Sequence, residues 1–576
     1  MSLLILLVIP LLTGIAIWLQ PGWRAAMTAT IGSMLALLFC IVVLFQFDFA
    51  APGTAQMGLA IPWAGPLGLN ILLGLDSVSL MLVTLTAGLM PLVIIGSYSA
   101  ITERKKEYYF WIMVLQAAMT GVFIAQDLIF FYICFEFTLL PMYFLIAIYG
   151  STNRARASAV FFLYTFTGSI ITLAGLLYLA WYSAQLTGIW SFEIGTLIAS
   201  AQTMTLTQQG WLLLALLCGF GVKVPLFPVH TWLPLAHTEA PTAGSVVLAA
   251  VLLKLGTYGL YRFALPMCPV AIYEYAPLIA ILCIIGIIYG ALICWVQTDI
   301  KKLIAYSSVS HLGFCVLGLV ALNTIGITGS IMYMINHGLS TGALFLCVGM
   351  IYERYHTRAI DDYSGLARMM PVWTFFMVFF VLSSVGLPGL NGFVGEFLAI
   401  MGAFASGQVM NGELQPGSLG PWYGAVAGLG MIFAAVYLLY LVGRVIFGPL
   451  KHPVREHAAH HHSDPESSGA SGRHHHAQLP RDLTLREVLV LTPIAIACLV
   501  FGLKPGLILG PIEAPVDALV LNLHENAMLH YAEVEMRDGE SADPAAAPGM
   551  TLGTTGGAVG TAVLTPPGTS AGGSGH

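Results

Sequence analysis

The chain has 576 residues, of which 58% are hydrophobic and only 9% are charged, with a formal net charge of −6. A soluble protein needs about a quarter of its residues charged, so this composition excludes a soluble globular protein. It indicates an all-α integral membrane protein in a lipid bilayer, and we expect no nucleic-acid partner.

Uninterrupted apolar runs define the predicted membrane spans, because a helix needs about twenty apolar residues to cross a bilayer core. About fourteen such runs follow one another along the chain. They cover residues 3–19, 25–45, 80–97, 108–125, 128–149, 157–181, 211–227, 243–263, 275–296, 303–322, 325–351, 372–404, 423–447 and 488–503. The run from 372 is long enough to contain a break.

Lys and Arg are divided unequally between the two faces of this arrangement. The odd-numbered connections carry nearly all of them, from Arg24 and Arg104 to Arg481 and Arg486, whereas the even-numbered side has little beyond Arg262 and Lys504. By the positive-inside rule the odd connections face the cytoplasm. With an even number of spans, both termini are then predicted on the non-cytoplasmic side.

Polar segments interrupt the apolar pattern late in the chain. Residues 450–487 contain a His-rich stretch, predicted to be a cytoplasmic loop that is either simply solvated or able to bind a transition metal. Residues 488–510 hold the fourteenth helix. Residues 511–576 read as a largely disordered extension, with a short amphipathic stretch near 512–529, because the last part is rich in Gly, Ala, Pro and Thr.

Four charged residues lie where a membrane protein can least accommodate them. Glu136, Lys223 and Lys254 fall roughly 12 to 18 Å into their spans, counted at about 1.5 Å per residue. Glu396 follows Gly386-Leu-Pro-Gly-Leu-Asn-Gly, a run that should interrupt its helix. Such residues are costly in lipid and mark ion or proton pathways. The alternative is that Glu136 and Lys223 form one structural ion pair, which leaves Lys254 and Glu396 unexplained.

Helix breaks are predicted beside two of these charges. Lys223 is followed by Pro225 and Pro228, and the break before Glu396 lies in the second half of the chain. Broken helices at matching positions suggest an inverted repeat whose interrupted backbone lines a pathway near the midplane.

Two histidines in apolar runs are candidates for passing protons. His311 and His337 have Ser and Asn neighbours that can hold water, and histidine exchanges protons near neutral pH. Either residue could equally be a packing histidine. Asp299 indicates a helix-end charge cluster, while His237 and Glu239 lie in a connection, where a loop role and a role at a pathway mouth both remain open.

Several segments resemble one family, the proton-translocating antiporter-like subunits of respiratory complex I. They are GFGVKVPLFPVHTWLPLAHTEAPTAGSVVLAAVLLKLGTYGLYRF from Gly219, FEFTLLPMYFLIAIYG from Phe135, QTDIKKLIAYSSVSHLGF from Gln297 and GLPGLNGFVGEF from Gly386. Glutamate in the GEF position resembles the subunit M branch, the counterpart of mitochondrial subunit 4. The resemblance covers most of residues 75–450.

The resemblance implies a fourteen-helix subunit with two inverted five-helix repeats, each with a broken helix. Helices 1–3 would occupy residues 1–100, the first repeat (helices 4–8) 101–265 and the second (helices 9–13) 266–449. Glu136 and Lys223 would be the coupling pair, Lys254 the central relay, Glu396 the residue exchanging protons with the far side, and His311 and His337 relay positions between them.

The resemblance also implies what this chain lacks and what surrounds it. We expect no metal and no cofactor here, with NAD, flavin, iron–sulfur clusters and quinone on partner subunits of the same membrane arm in the bacterial inner membrane. Leu235 departs from the family, whose bacterial members often have Asp there, and this puts the proton uptake route in doubt. The rival interpretations are a subunit of a multi-subunit Na+/H+ antiporter and a passive structural subunit.

Overall fold

The computed structural model describes residues 1–64, 68–410, 412–451 and 481–541, with side chains up to 536. Most of the predicted His-rich loop and the tail after 541 lie outside these residues. The α-helices, in chain order, are α1 Ser2–Leu19, α2 Ala25–Gln46, α3 Ser77–Gly96, α4 Lys105–Ile124, α5 Leu128–Phe137, α6 Leu139–Tyr149, α7 Arg154–Thr187, α8 Ile194–Gln202, α9 Leu206–Lys223, α10 Trp232–Glu239, α11 Thr242–Val247, α12 Leu253–Gly259, α13 Leu265–Met267, α14 Pro269–Trp295, α15 Ile300–Val320, α16 Thr324–Tyr355, α17 Pro371–Val385, α18 Asn391–Ala405, α19 Pro421–Val445, α20 Leu485–Leu503 and α21 Gly506–Ser541.

The predicted all-α membrane fold is confirmed, and two small antiparallel hairpins add to it. Strands β1 Gln56–Ala64 and β2 Leu69–Leu75 pair between α2 and α3, and β3 Val409–Met410 pairs with β4 Glu413–Leu414. Both hairpins lie in even-numbered connections. We call that side of the molecule the even face and the Arg- and Lys-rich side the odd face.

Polar side chains fix where several spans begin. Asp127 accepts hydrogen bonds from the backbone of Ile129 and Phe130 at the start of α5, and Asn323 accepts one from Gly326 at the start of α16. Asp299 caps α15 in the same way, as its predicted helix-end role required. Such caps satisfy backbone N–H groups that have no partner within the helix.

Thirteen helices of the described chain are long and apolar enough to cross a membrane. They include twelve of the fourteen predicted spans and the range Gly506–Met536. The two remaining predicted spans are also helical, but they are not long and apolar enough to be counted. One is α9, and the other is the pair α17 and α18, shorter helices separated by a break between Val385 and Asn391.

The helix breaks occur where Pro and Gly predicted them. α9 ends at Lys223 and α10 begins at Trp232, while α17 ends at Val385 and α18 begins at Asn391. Each break therefore falls in the fourth helical span of its predicted set of five. The repeat boundaries themselves stay a prediction.

The innermost helices carry most of the candidate residues. The apolar windows of Thr242–Met267 and Thr324–Tyr355 are wholly buried, whereas that of Pro269–Trp295 is only 44% buried. α16 packs closely on α18 because Gly395 has no side chain. A Cβ atom at this position would lie only 2.6 Å from the Cβ atom of Tyr333. Ionisable groups on α15, α16 and α18 are thereby held out of lipid.

The end of the chain differs from its prediction. Residues 506–541 form one helix that includes the amphipathic stretch expected near 512–529, where apolar residues such as Ile512 and Val516 are buried; the expected disorder is wrong for 530–541. Asp517 bonds Thr324, Asn522 bonds Gln202, and Pro515 lies against Gly53. These partners are all on the even face, so this part of α21 runs along that face.

The chain divides into two compact units, Met1–Met528 and Leu529–His576. The first contains all candidate site residues. The described part of the second is the last section of α21.

Candidate functional site

Glu136 and Lys223 lie near each other without a direct bond. Lys223 is buried, its ammonium group donates to Thr138 Oγ1 at 3.2 Å, and it sits 4.5 Å from the ring centre of Phe135. Glu136 is half-buried, and its Oε1 has no hydrogen-bond partner among the described residues. The two charges interact electrostatically. The structure therefore does not show the closed ion pair of the structural interpretation.

Lys254 and His337 are in direct contact at the centre of the molecule. Lys254 is fully buried, and its Nζ lies 2.6 Å from His337 Nδ1 and 2.5 Å from the carbonyl oxygen of Ala249. Ala249 belongs to a π-helical turn, Leu248–Leu252, immediately before α12. Such turns often mark functional positions, and here the turn supplies a carbonyl to the ammonium group.

A second polar cluster joins four helices, α15, α16, α18 and α19, next to that contact. His311 Nδ1 lies 2.9 Å from Glu396 Oε1 and 2.6 Å from the Tyr333 hydroxyl, which also donates to Glu396 Oε1. The Tyr437 hydroxyl lies 3.3 Å from His311 Nε2. All four side chains are buried. The cluster can hold an excess proton at several neighbouring atoms.

The two clusters are adjacent. The ring centres of His311 and His337 are 5.8 Å apart, and Tyr333 and His337 are 6.4 Å apart. His337 Nε2 has no hydrogen-bond partner among the described residues. The predicted residues Lys254, His337, His311 and Glu396 therefore form one line of neighbouring buried side chains, in which the step from His337 to His311 is a ring contact without a described hydrogen bond. No described hydrogen bond links Lys223 to Lys254.

The far oxygen of Glu396 is directed at the break between α17 and α18. Its Oε2 has no hydrogen-bond partner among the described residues and would lie 3.0 Å from a Cβ atom on Gly386. Gly386 has a positive φ of +82°, which glycine adopts at little cost. Asn391 secures the other side of the break by accepting from Ser383 at 2.6 Å. The broken segment thus leaves one buried carboxylate oxygen without a hydrogen-bond partner among the described residues.

A cavity of about 550 Å³ opens near the odd face. Its lining includes Glu239, Lys301, Glu353 and Arg358. Glu239 accepts from Ser151 Oγ at 2.7 Å, and the buried Lys301 donates to the carbonyl oxygen of Ala240 at 2.5 Å. The acidic and basic side chains that line this cavity make it suitable for water.

His237 is a buried histidine near Lys301, which lines that cavity, and near Lys254. It is fully buried and stacked on Phe345, and neither ring nitrogen has a hydrogen-bond partner among the described residues. It interacts electrostatically with both Lys301 and Lys254. Sequence reasoning left a loop role open for His237, but the structure places it in the interior.

An ion pair lies at the even-face end of the first half. Arg262 donates to Asp76 Oδ2 at 2.6 Å and to Gln126 Oε1 at 2.7 Å. Asp76 also caps α3 by accepting from Ser79. The arrangement ties the start of α3 to the α4–α5 connection and to the π-helical end of the span that carries Lys254.

Three participants escaped sequence reasoning. Tyr333 precedes His337 by four residues and therefore shares its helix face, a spacing that could have identified it. Tyr437 and the buried Lys301 carried no such signal. The described residues contain no group of three or more His, Cys, Asp or Glu side chains able to hold a metal.

Comparison with known proteins identifies the family to which the chain belongs. A family model described as "NADH:quinone oxidoreductase/Mrp antiporter, TM" matches residues 125–411. NADH-quinone oxidoreductase subunit M of Rhodobacter capsulatus is 40% identical over 504 residues, covering 87% of this chain and 90% of the relative. The chain belongs to the subunit M family of NADH-quinone oxidoreductases. NADH-ubiquinone oxidoreductase chain 4 of Chondrus crispus is 38% identical over 85% of this chain and 92% of that protein.

Solved structures share the fold of this family. A chain of respiratory complex I from Thermus thermophilus aligns with a TM-score of 0.76 and 28% identity, over 91% of this chain and all of that one. A chain of the Mrp complex from Dietzia sp. aligns with a TM-score of 0.70 and 22% identity, over 91% and 99% of the two chains. The second likeness is one of fold alone.

Proposed function

We propose that this chain is a proton-translocating subunit of the membrane arm of NADH:quinone oxidoreductase in a bacterial inner membrane. The observation that carries the proposal is the line of neighbouring buried side chains from Lys254 through His337 and His311 to Glu396. Ionisable groups buried in a membrane protein are energetically costly and usually mark an ion or proton pathway. Contacts of 2.6 and 2.9 Å hold the two ends of this line.

Proton uptake begins in the cavity at the odd face, which the positive-inside rule assigns to the cytoplasm. Glu239 and Lys301 concentrate and orient water there, and His237 connects the cavity to Lys254. This route needs no carboxylate at Leu235. The carboxylates of Glu239 and Glu353 at the cavity wall supply the acidic groups instead.

Transfer across the centre uses the observed contacts. Lys254 passes its proton to His337 Nδ1, and His337 passes one to His311 across adjacent rings. His311 then protonates Glu396 Oε1 at 2.9 Å. Half a turn of the carboxyl group about its Cγ–Cδ bond then carries the protonated oxygen to the position of Oε2, beside Gly386, and the proton leaves from there through the break toward the non-cytoplasmic side.

In this proposal, energy reaches this line from partner subunits that carry the redox chemistry. NAD, flavin, iron–sulfur clusters and quinone belong, in this proposal, to those partners. Glu136 is half-buried on a surface that also exposes Ile133 and Phe137, at 43% and 44%. A neighbouring subunit that covers this surface would shift Glu136 relative to Lys223. The shift would change whether Lys223 prefers its protonated or its neutral form.

Orientation follows from the same charge distribution. The odd face is cytoplasmic, so the N-terminus and the contacts of α21 with Gly53, Gln202 and Thr324 lie on the non-cytoplasmic side. The location of the C-terminus on that side stays a prediction.

Exchange of Na+ for H+ is the rival function, since the Mrp complex shares the fold. The full-length likeness to subunit M and chain 4 proteins supports the respiratory function instead. Pumping that depends on NADH and not on sodium in vesicles would support the proposal, and sodium-dependent exchange would support the rival.

Glu396→Gln tests the proposed function. The amide keeps the size of the side chain but cannot accept and release a proton, so NADH-driven acidification of inside-out vesicles should be lost while native electrophoresis shows an assembled complex. Glu413→Gln, on the exposed strand β4, is the matched control and should pump normally. Normal pumping by assembled Glu396→Gln would refute the proposal.

A further inference from the structure

The Tyr333 hydroxyl has two acceptors within reach, and they are the two ends of one proton transfer. It lies 2.6 Å from His311 Nδ1 and also contacts Glu396 Oε1, while those two atoms are 2.9 Å apart. A hydroxyl has a single hydrogen to donate. It can therefore complete a hydrogen bond to only one of the two at any moment.

The protonation state of His311 and Glu396 determines which of the two atoms accepts the hydrogen bond from Tyr333. While His311 is an imidazolium, Nδ1 carries a hydrogen and has no lone pair, so the hydroxyl donates to the Glu396 carboxylate. After transfer, the N–H bond at Nδ1 is broken, an O–H bond on Glu396 is formed, and the electron pair remains on Nδ1. When the carboxyl group turns and carries this O–H bond to the position of Oε2, Nδ1 becomes an open acceptor and the neutral carboxyl is a poorer one.

Tyr437 sets which nitrogen of His311 takes part. Its hydroxyl lies 3.3 Å from Nε2, where it can accept from Nε2–H and so keep that hydrogen in place. The exchangeable proton is thereby confined to Nδ1, the atom that faces both Tyr333 and Glu396.

We propose that Tyr333 is a hydroxyl valve that covers His311 Nδ1 once the proton has moved to Glu396 and so prevents its return. The inference rests on the proposed function and adds a direction to it. When Glu396 releases its proton through Oε2, the restored carboxylate draws the hydroxyl back, and Nδ1 is uncovered for the next proton. Reloading is thereby tied to release.

The surrounding packing supports such a small, confined motion. Tyr333, His311 and Glu396 are buried, and Gly395 brings α18 against the backbone of Tyr333. The phenol ring has no room to swing, so only its O–H bond needs to rotate. A hydrogen bond of this kind biases the position of a proton by roughly tenfold.

Tyr333→Phe removes the valve and leaves the ring in place. In vesicles carrying the assembled complex, NADH:quinone turnover should continue, whereas the number of protons pumped per NADH should fall, because return from Glu396 to His311 becomes roughly tenfold more frequent. Tyr423→Phe, at the start of α19, is the matched control and should keep the wild-type ratio.

Two results would overturn the valve. An unchanged ratio in assembled Tyr333→Phe would show that the hydroxyl does not block return. A proportional fall of turnover and pumping would make it a relay or a structural brace. Glu396→Gln separates the valve from the function it rests on, since loss of pumping there with an unchanged ratio in Tyr333→Phe removes only the valve.

Discussion

Gly395→Ala should disable proton transfer by moving Glu396, although it adds only one methyl group. The new Cβ atom would lie 2.6 Å from Tyr333 Cβ and 2.7 Å from Tyr333 Cα, whereas ordinary contacts begin at 3.4 Å. α18 must therefore move about 0.8 Å away from α16, the difference between 2.6 and 3.4 Å. A shift of that size taken along the Glu396–His311 contact would turn 2.9 Å into about 3.7 Å, beyond hydrogen-bonding distance.

A displacement near 1 Å can reduce a rate by roughly a hundredfold. We expect NADH-driven pumping by Gly395→Ala to fall between about tenfold and a hundredfold, with a loss of stability of about 1–3 kcal/mol from overpacking. Pumping is measured as acidification of inside-out vesicles, normalised to complex assembled on native gels.

Gly428→Ala is the matched control for this experiment. Gly428 is also in a membrane helix, α19, but a Cβ atom there would meet nothing within 4 Å. Its pumping should equal that of the wild type. The reasoning is refuted if assembled Gly395→Ala pumps normally, or if Gly428→Ala loses as much.

Three further predictions concern other parts of the chain. Arg262→Met and Asp76→Asn should each lower the stability of the complex by about 3 kcal/mol because one buried charge is left unpaired, and the double variant should recover much of it; additive losses in thermal unfolding would contradict this. Asn323→Ala should cost about 1–2 kcal/mol, since it removes the cap of α16 and a bond to Gly402; an unchanged melting temperature would count against it. Glu136→Ala should leave assembly intact while pumping and coupled electron transfer fall together, and persistence of both would make Glu136 structural.

The sequence predicted the fold well because the bilayer imposes simple rules. Apolar runs of spanning length, Pro225 and Pro228 after Lys223, and the Gly-rich run before Glu396 each have a direct structural consequence. α21 was missed because its even-face contacts with Thr324 and Gln202 come from residues far away in the chain.

The site could be predicted only in part. Lys254 and Glu396 could be identified as charges in apolar runs, because a charge in a membrane span is energetically costly and usually functional. Which groups touch each other could not be read from the chain, because Lys254 meets His337 and Glu396 meets His311 through packing of separate helices. Lys223 shows the same limit, for its hydrogen bond is to Thr138, while its interaction with Glu136 is electrostatic only.

Proton pumping by Lys254→Met tests the central line of residues most directly. Methionine fits the apolar surroundings but carries no proton, so assembled complex should lose NADH-driven pumping, while Lys302→Met, at an exposed position of α15, should retain it. If Lys254→Met assembles and pumps at the wild-type rate, the buried line from Lys254 to Glu396 does not carry protons.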